Sequence, residues 1–294
     1  MSTNSKQIRN RRQSRRSFLE WTAAAAAALG WSTSRRASAS ATEEAAEDRQ
    51  SPKKLKLGLA SYTARKLDLD KTLALAKRVD LKYICLKSVH LPLEAKPEEI
   101  AAITGKVRQA GLTLYGGGVI VMQKESQIAQ AFDYAKTAGM ELIVAAPSAD
   151  MLPLIETKVK EYNIAVAIHN HGPGDKHFPT PMSVYEKVKS LDKRVGLCID
   201  IGHTVRIGAD LIRSTRECAD RLLDFHMKDV VAASPKSKDV PVGRGVIDIP
   251  GFLRALVQIG YAGRVSFEYE SEPDDPLPGL AESVGFTRGV LAAI

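Results

Sequence analysis

Short apolar runs alternate with amphipathic stretches from Leu55 to the end of the chain. Several amphipathic stretches have the apolar spacing of a helix and end at a glycine, as at Gly111, Gly139 and Gly260, where a left-handed residue commonly closes a helix. Eight strand-helix units in about 240 residues are typical of an α/β fold, the (β/α)8 TIM barrel. The eight apolar runs cover residues 55–62, 81–91, 112–121, 141–147, 164–171, 195–203, 222–229 and 265–270.

An open, doubly wound sheet is the alternative fold for this alternation of elements. Such a sheet needs a glycine-rich phosphate turn after its first strand, whereas residues 60–63 read ASYT. We therefore predict one barrel domain over residues 55–294. The interval from Asp229 to Arg264 is longer than the other connections, which predicts a loop over one mouth of the barrel.

Residues 1–39 resemble a twin-arginine (Tat) signal peptide. Arg15 and Arg16 precede the apolar run of residues 21–31, and an A-x-A cleavage motif follows at residues 37–39. The apolar run is too short to span a bilayer, which takes about 20 residues. We expect export to the periplasm followed by cleavage, with a retained membrane anchor as the alternative.

Removal of this segment changes the charge of the protein. The whole chain has a formal net charge of +8, but residues 1–39 hold eight of its basic residues and one acidic residue. The remaining chain carries 34 basic and 33 acidic residues, so it lacks the basic excess that nucleic-acid binding requires. Residues 40–54 are polar and lack apolar periodicity, which predicts a disordered linker. We expect no nucleic-acid partner and no membrane association after cleavage.

The cysteine count argues against a disulfide framework. The chain has three cysteines, an odd number, and each lies in a stretch with strand or helix character. Cys85, Cys198 and Cys218 are therefore predicted to be buried thiols. The resemblance to a twin-arginine signal implies transport of an already folded protein, which suits free thiols and a metal loaded before export.

The histidines share one position in the predicted fold. All six lie at or just after the end of a predicted strand, and none lies in a predicted helix. Barrel enzymes carry their reactive groups at this end of the strands. An isolated histidine is more often a satisfied core or loop residue, but six at one end of a barrel indicate a site. They are His90, His169, His171, His177, His203 and His226.

Asp200 ends the apolar run VGLCID, where an ionised carboxylate needs a cation or hydrogen-bond donors because its burial otherwise costs several kcal/mol. Capping the next turn is its alternative role. Imidazole nitrogens and carboxylate oxygens at neighbouring strand ends could instead share one divalent ion, for which we consider Mn, Zn, Mg and Co. The predicted metal ligands, from the fifth to the eighth strand, are His169, Asp200, His226 and Glu268.

Two choices stay open within these ligands. The fifth strand ends in IHNH, so His169, Asn170 or His171 could supply its ligand. In VSFEYE, the alternation of strand side chains places Glu268 and Glu270 on one face. Glu268 lies deeper and is the predicted ligand, with Glu270 beside it.

The motifs DIGH, HMKD and FEYE end the sixth, seventh and eighth predicted strands. In this order they resemble the xylose isomerase-like TIM barrel superfamily, which includes sugar phosphate isomerases and epimerases, inosose dehydratase and the AP endonuclease family 2 enzymes. The resemblance covers most of residues 55–294. It implies that Asp200, His226 and Glu268 bind a metal ion and that His203 and Lys228 face the substrate.

The sequence departs from two branches of this superfamily. The ketose epimerases carry a glutamate on strand five, where this chain reads IHNH, and this argues against an epimerisation by two glutamates. The endonucleases need further metal-binding histidines after strand seven, where this chain has Asp239-Val240-Pro241, and this excludes DNA repair. Inosose dehydratase has a histidine-rich strand five and an HxKD motif on strand seven, which this chain approaches.

We predict a metal-dependent sugar isomerase or epimerase that removes a proton next to a carbonyl group and passes through a metal-bound enediolate. A lyase acting on keto sugars or inosose-like substrates and a non-catalytic sugar-binding barrel are the alternatives. The expected partner is a small carbohydrate, and superfamily members often form homo-oligomers. The predicted catalytic residues are His203, Lys228, His171 and Glu270. The predicted substrate-binding residues are Lys87, His90, Arg206 and Arg244.

Overall fold

The computed structural model describes residues 55–294, and these residues form the predicted TIM barrel. Eight parallel strands follow one another around the barrel in sequence order, and the last strand closes it by pairing with the first. The strands are β1 (Lys56–Ala60), β2 (Tyr83–Leu86), β3 (Thr113–Met122), β4 (Leu142–Pro147), β5 (Ala165–His169), β6 (Val195–Asp200), β7 (Leu222–Met227) and β8 (Arg264–Phe267).

Helices follow the strands and begin and end where the local residues favour it. The side chain of Asp68 accepts the backbone N–H of Lys71 and so caps the first helix. Gly139 has a φ of 68° at the end of the third, a conformation that glycine adopts without strain. The helices are α1 (Leu69–Arg78), α2 (Pro97–Gln109), α3 (Glu125–Ala138), α4 (Leu152–Tyr162), α5 (Pro181–Val188), α6 (Ile201–Arg206), α7 (Leu211–Glu217), α8 (Ile249–Gln258) and α9 (Leu277–Ala293).

Several strands are shorter than the apolar runs that predicted them. β2 ends at Leu86, so His90 lies in the turn beyond it. β6 ends at Asp200, and α6 begins at once, so His203 is helical although no helix is predicted there. The apolar runs overshoot because residues just past a strand are also buried, and burial alone does not distinguish a strand from the turn that follows.

The apolar core has two parts. The larger part lies between the strands and the surrounding helices. The smaller part fills the barrel interior and includes Cys85, Tyr115 and Cys198. Cys218 is also buried, and all three cysteines are free thiols, as predicted.

The long connection between β7 and α8 folds around a buried carboxylate. It begins with a two-stranded antiparallel ribbon that pairs Asp229 with Val240. Oδ2 of Asp229 accepts the N–H groups of Gly243 and Gly245, and its Oδ1 accepts those of Val230 and Ile247. Asp229 is fully buried. One side chain therefore fixes the path of the segment that leads into α8.

The predicted signal peptide at residues 1–39 and the linker at residues 40–54 lie outside the described residues. Across residues 55–294, every helix falls short of the length and apolarity that crossing a membrane requires.

Replacing Asp229 by alanine should lower the free energy of unfolding by about 3 kcal/mol, because four backbone N–H groups lose a charged acceptor. Chemical denaturation measures this loss. The matched control is Asp248→Ala in the same connection, whose exposed side chain accepts one N–H, from Gly251, at the start of α8. Loss of this cap should cost about 1 kcal/mol. Equal effects of the two substitutions would show that Asp229 does not organise the connection.

Candidate metal centre

Four side chains from four neighbouring strands converge at the C-terminal end of the barrel. His169 ends β5, Asp200 ends β6, His226 lies in β7 and Glu268 directly follows β8. One nitrogen or oxygen atom of each lies within 4.8 Å of the corresponding atoms of the other three, and all four residues are buried. The barrel thus brings together the predicted metal ligands, which are separated by up to 99 residues along the sequence.

His169 contacts both of its neighbours in this cluster. Its Nε2 atom is 3.0 Å from Nδ1 of His226 and 3.4 Å from Oδ2 of Asp200. Nδ1 of His226 is in turn 3.0 Å from Oε2 of Glu268. Two imidazole nitrogens and two carboxylate oxygens therefore face one another, and this donor set fits a divalent ion such as zinc or manganese.

Lys228 lies between the carboxylates of the cluster. Its Nζ atom is 3.0 Å from Oδ2 of Asp200 and 2.9 Å from Oε2 of Glu268, and it also pairs with Oε1 of Glu270. The side chain of Lys228 is 1% exposed. The carboxylates of Asp200, Glu268 and Glu270 face one ammonium group, so these four side chains carry two negative charges in excess, which a divalent cation would neutralise.

The electrostatics of the site keep Asp200, Glu268 and Lys228 ionised. Burial alone would raise the pKa of Asp200 and Glu268, but Lys228 and the histidines outweigh it and hold both pKa values well below their usual range. Burial opposes the charge of Lys228 too, yet the carboxylates raise its pKa well above its usual value. Lys228 is therefore a fixed cation and does not act as a base near neutral pH.

The pKa values of the two histidines in the cluster shift in opposite directions. Burial lowers the pKa of His169 to about 3, which keeps its ring neutral and able to bind a metal. Burial also disfavours charge on His226, but the adjacent carboxylate of Glu268 outweighs it and raises the pKa of His226. The carboxylate side of the cluster thus attracts positive charge.

Asp200 caps the next helix, the alternative role considered for it, and also faces the cluster. Its Oδ1 atom accepts the N–H of His203 at 2.8 Å and caps α6, while its Oδ2 atom faces the cluster. Asn170 fixes this strand end, because its Oδ1 accepts the N–H of Asp200 at 3.0 Å and its Nδ2 donates to Oγ1 of Thr204 at 3.2 Å. The side chain of Asn170 is thus used in positioning, and His169 is the strand-five residue that enters the cluster.

Two further histidines lie beside the cluster. The ring of His171 packs against that of His169, with centroids 4.4 Å apart, and the side chain of His171 is 36% exposed. His203 lies 5.9 Å from His169 by ring centroids, and burial lowers the pKa of its imidazole. His171 thus lies at the solvent side of the cluster and His203 at its wall. The remaining histidine of this loop, His177, is exposed.

A family model described as a xylose isomerase-like TIM barrel matches residues 68–290. The chain belongs to this family. A curated relative, the rhizopine catabolism protein MocC of Rhizobium meliloti, is 27% identical over 140 residues, which is 41% of this chain and 41% of that protein. The match to MocC therefore spans less than half of the relative's length.

Solved structures share the xylose isomerase-like fold over most of this chain. The 3-keto-D-glucoside 4-epimerase YcjR of E. coli has a TM-score of 0.67 and 15% identity, covering 80% of this chain and 100% of that chain. The IOLI protein with a bound zinc atom has a TM-score of 0.66 and 19% identity over 81% and 97% of the two chains. The probable 3-DHS dehydratase AsbF of Bacillus anthracis has a TM-score of 0.65 and 12% identity over 81% and 99%.

His90, predicted to bind substrate, has a structural role in this xylose isomerase-like barrel. It is 4% exposed, and its Nδ1 lies 2.9 Å from Oγ of Ser61. Its Nε2 lies 3.0 Å from Oγ1 of Thr72 and 3.1 Å from the carbonyl oxygen of Leu67. Both ring nitrogens are thus engaged within the segment that follows β1, and substrate binding by His90 stays a prediction.

The two predicted arginines also have protein partners. Arg206 donates from Nη2 to Oδ1 of Asp239 at 2.9 Å and from Nε to the carbonyl oxygen of Ser237, so it holds the ribbon after β7. Arg244 is 64% exposed and pairs with Glu282 on the surface. Both guanidinium groups thus have acidic partners within the protein, and substrate binding by either arginine stays a prediction.

The glycines beside Arg244 do not form an anion site for a ligand, because Asp229 already takes the N–H groups of Gly243 and Gly245. Lys87, in contrast, stays at the barrel mouth. Its Nζ donates to the carbonyl oxygen of Val119 at 3.1 Å and lies 5.4 Å from the ring centroid of Tyr62. It lines a cavity of about 280 Å³ at the ends of β2 and β3.

One further buried carboxylate, that of Asp224, was missed by the sequence analysis. Asp224 lies in β7, two residues before His226 and therefore on the same face of the strand. It is fully buried, and one ligand atom each of Cys198, Asp224 and His226 lie within 4.8 Å of one another. The signal for it was present as a charged residue inside the apolar run LLDFHM.

Zinc should stabilise the protein through this cluster. At free zinc one hundred times its dissociation constant, the stabilisation amounts to about 2.7 kcal/mol, measurable as a rise in the thermal unfolding midpoint. Asp200→Ala should abolish the response. The matched control is Asp210→Ala, which removes the equivalent cap of α7 at the N–H of Arg213 and leaves the cluster intact. An undiminished zinc response in Asp200→Ala would contradict the assignment of Asp200 as a ligand.

Proposed function

We propose that the chain is a metal-dependent sugar isomerase or epimerase that moves a proton on a carbon next to a carbonyl group. The observation that carries the proposal is the convergence of His169, Asp200, His226 and Glu268 at the C-terminal end of a xylose isomerase-like barrel, where Lys228 faces three carboxylates. Structural neighbours that are named as an epimerase and as a zinc-containing protein support it.

A divalent ion at this cluster supplies a Lewis acid where negative charge develops on a carbonyl oxygen. Lys228 keeps three carboxylates together and contributes a second positive charge close to the same point. Because the pKa of Lys228 is raised, its part is to stabilise charge or to donate a hydrogen bond, and another residue must remove the proton.

Two groups border the ligand cluster at its two ends and are accessible to a substrate. Glu270 pairs with Lys228 on the β8 side, and its side chain is 28% exposed. His171 packs on His169 on the β5 side. We assign Glu270 as the base and His171 as the group that returns the proton. His203 has a lowered pKa and no hydrogen-bond partner for its buried Nδ1 within residues 55–294, and it is the third candidate for proton transfer.

A dehydratase is the second candidate function. Strand five contributes the imidazole of His169 where the ketose epimerases carry a glutamate, so the site lacks the second carboxylate of a two-glutamate epimerisation. The probable dehydratase AsbF also shares this fold. The same proton removal would lead to loss of a hydroxyl group in place of reprotonation.

Export by the twin-arginine pathway and a periplasmic location remain part of the proposal. We propose a carbohydrate without a phosphate group, because Arg206 and Arg244, the two arginines predicted to bind substrate, are both paired with acidic residues. Such a substrate is consistent with a periplasmic location.

The zinc- or manganese-loaded mature protein should exchange a proton next to the carbonyl group when a panel of keto sugars is incubated in heavy water. Glu270→Gln and His171→Gln should lower the exchange rate about 100- to 10,000-fold, because each removes a proton-transfer group. His177→Gln is the matched control, since His177 lies on the same loop as His171 and is exposed. NMR detects the exchange.

The product decides between the candidates. A sugar that differs from the substrate in composition only by the exchanged deuterium identifies an isomerase or epimerase. A product that has lost one water molecule identifies a dehydratase. Sugar binding without exchange at any metal loading would contradict both and favour a non-catalytic sugar-binding barrel.

A further inference from the structure

Glu270 lies outside the strands and helices, in the segment between β8 and α9. Its main chain therefore lacks the regular hydrogen bonds that hold a strand or a helix in place. Within residues 55–294, one hydrogen bond reaches the main chain of Glu270, and it comes from the side chain of Arg65. Nη2 of Arg65 donates to the carbonyl oxygen of Glu270 at 2.7 Å, across 205 positions of the sequence.

The guanidinium group of Arg65 is itself held at the end of β1. Arg65 directly follows the short turn after this strand, and its Cζ atom lies 4.9 Å from the centroid of the Tyr62 ring, a cation–π contact. Nη1 donates to the carbonyl oxygen of Tyr62 at 3.4 Å. In the part of the chain that the structure describes, Arg65 forms no ion pair with an acidic side chain, so these contacts and the bond to Glu270 orient it.

The residue before Glu270 is held by the same segment after β1. Oγ1 of Thr63 accepts the N–H of Tyr269 at 3.0 Å and donates to the carbonyl oxygen of Phe267 at 3.1 Å. Thr63 and Tyr269 are both buried. Thr63 thus continues the attachment of β1 to β8 beyond the strand ends, and Arg65 adds the last contact of this series at Glu270.

The carboxylate of Glu270 is attached from the other side. Its Oε1 atom pairs with Lys228, whose ammonium group also contacts Asp200 and Glu268. This attraction draws the side chain of Glu270 towards the cluster, whereas Arg65 holds its main chain at the end of β1. A base needs such a fixed position, because a misplacement of about 1 Å can lower a rate about 100-fold.

We propose that Arg65 is a positioning residue that holds the main chain of Glu270, so that the carboxylate stays at the border of the ligand cluster and faces the substrate. The inference rests on the proposed function, in which Glu270 is the base. Arg65 removes no proton in this role and acts only through Glu270.

The first test compares the kinetics of proton exchange, measured by NMR in heavy water. The probe is whichever of fructose, tagatose, sorbose and psicose the zinc-loaded, unmodified protein exchanges fastest. Arg65→Met removes the donors and keeps an unbranched side chain, so we expect kcat to fall about 10- to 100-fold and KM to stay within about threefold. An unchanged kcat, or a rise in KM alone, would overturn the proposal.

The conservative variant Arg65→Lys keeps one cationic donor but not the planar fork that contacts two carbonyl groups. Its kcat should recover to about three- to tenfold below that of the unmodified protein. A kcat as low as that of Arg65→Met would contradict a role that depends on a donor at this position.

Arg288→Met is the matched control. Nη2 of Arg288 donates to the carbonyl oxygen of Asp80, also at 2.7 Å, but Asp80 precedes β2 and so lies at the opposite end of the barrel. Both kcat and KM should equal those of the unmodified protein. A loss as large as that of Arg65→Met would show a general effect of removing such a bond and would overturn the specific role of Arg65.

The second test shows whether Arg65 acts through Glu270. If it does, adding Arg65→Met to Glu270→Gln should lower the exchange rate no further, because the group that Arg65 positions is already gone. Independent contributions would multiply. A further drop of about 10- to 100-fold in the double variant would therefore overturn the positioning role.

Zinc binding separates this proposal from the proposed function. Arg65 forms no hydrogen bond or ion pair with the four predicted ligands in residues 55–294, so Arg65→Met should keep the zinc-dependent rise in the unfolding midpoint. An unmodified protein without zinc-dependent exchange would contradict the proposed function, and this proposal with it. Exchange that Arg65→Met leaves unchanged would overturn the role of Arg65 alone. If Arg65→Met fails to fold, Arg65→Lys decides by the same comparisons, with and without Glu270→Gln.

Discussion

The convergence of three carboxylates, two of them buried, on the single ammonium group of Lys228 is the constraint on which the rest of the site depends. Asp200 and Glu268 are almost fully buried, and an ionised carboxylate in that position is stable only beside positive charge. Lys228 supplies one such charge and leaves two in excess. The two histidines add imidazole nitrogens at the same point, so the negative charge is not balanced by Lys228 alone and the donor set is one that a divalent cation could use.

The barrel stabilises this arrangement because each group is held by its own strand and by a neighbouring residue. Asn170 ties the end of β5 to the end of β6, and the backbone N–H of His203 orients the carboxylate of Asp200. Arg206 and Asp229 hold the connection after β7 through hydrogen bonds of their side chains. The residues of the motif HMKD therefore have different roles, since His226 and Lys228 face the cluster and Asp229 shapes the connection that follows.

The sequence was sufficient for the fold and for the four residues that converge, because apolar alternation reports strands and the ends of parallel strands must meet. It did not predict the protein partners of His90, Arg206 and Arg244. Their residue types suit substrate binding, but their partners Ser61, Asp239 and Glu282 are distant in sequence, and nothing in a linear pattern predicts such pairs. His203 was placed correctly beside Asp200 but in a loop, because a helix of six residues is too short to show periodicity.

The histidine on strand five has a consequence for the chemistry that follows from charge alone. A glutamate in place of His169 would add a third negative ligand next to Asp200 and Glu268 and would supply a base on that side of the ion. The neutral ring of His169 does neither, since burial keeps its pKa at about 3. In the function we propose, proton transfer on the β5 side would then come from a group outside the metal-binding set, and His171 is the residue that packs directly against His169. The β8 side keeps a carboxylate in Glu270, so the proposed substrate would meet an imidazole on one side and a carboxylate on the other.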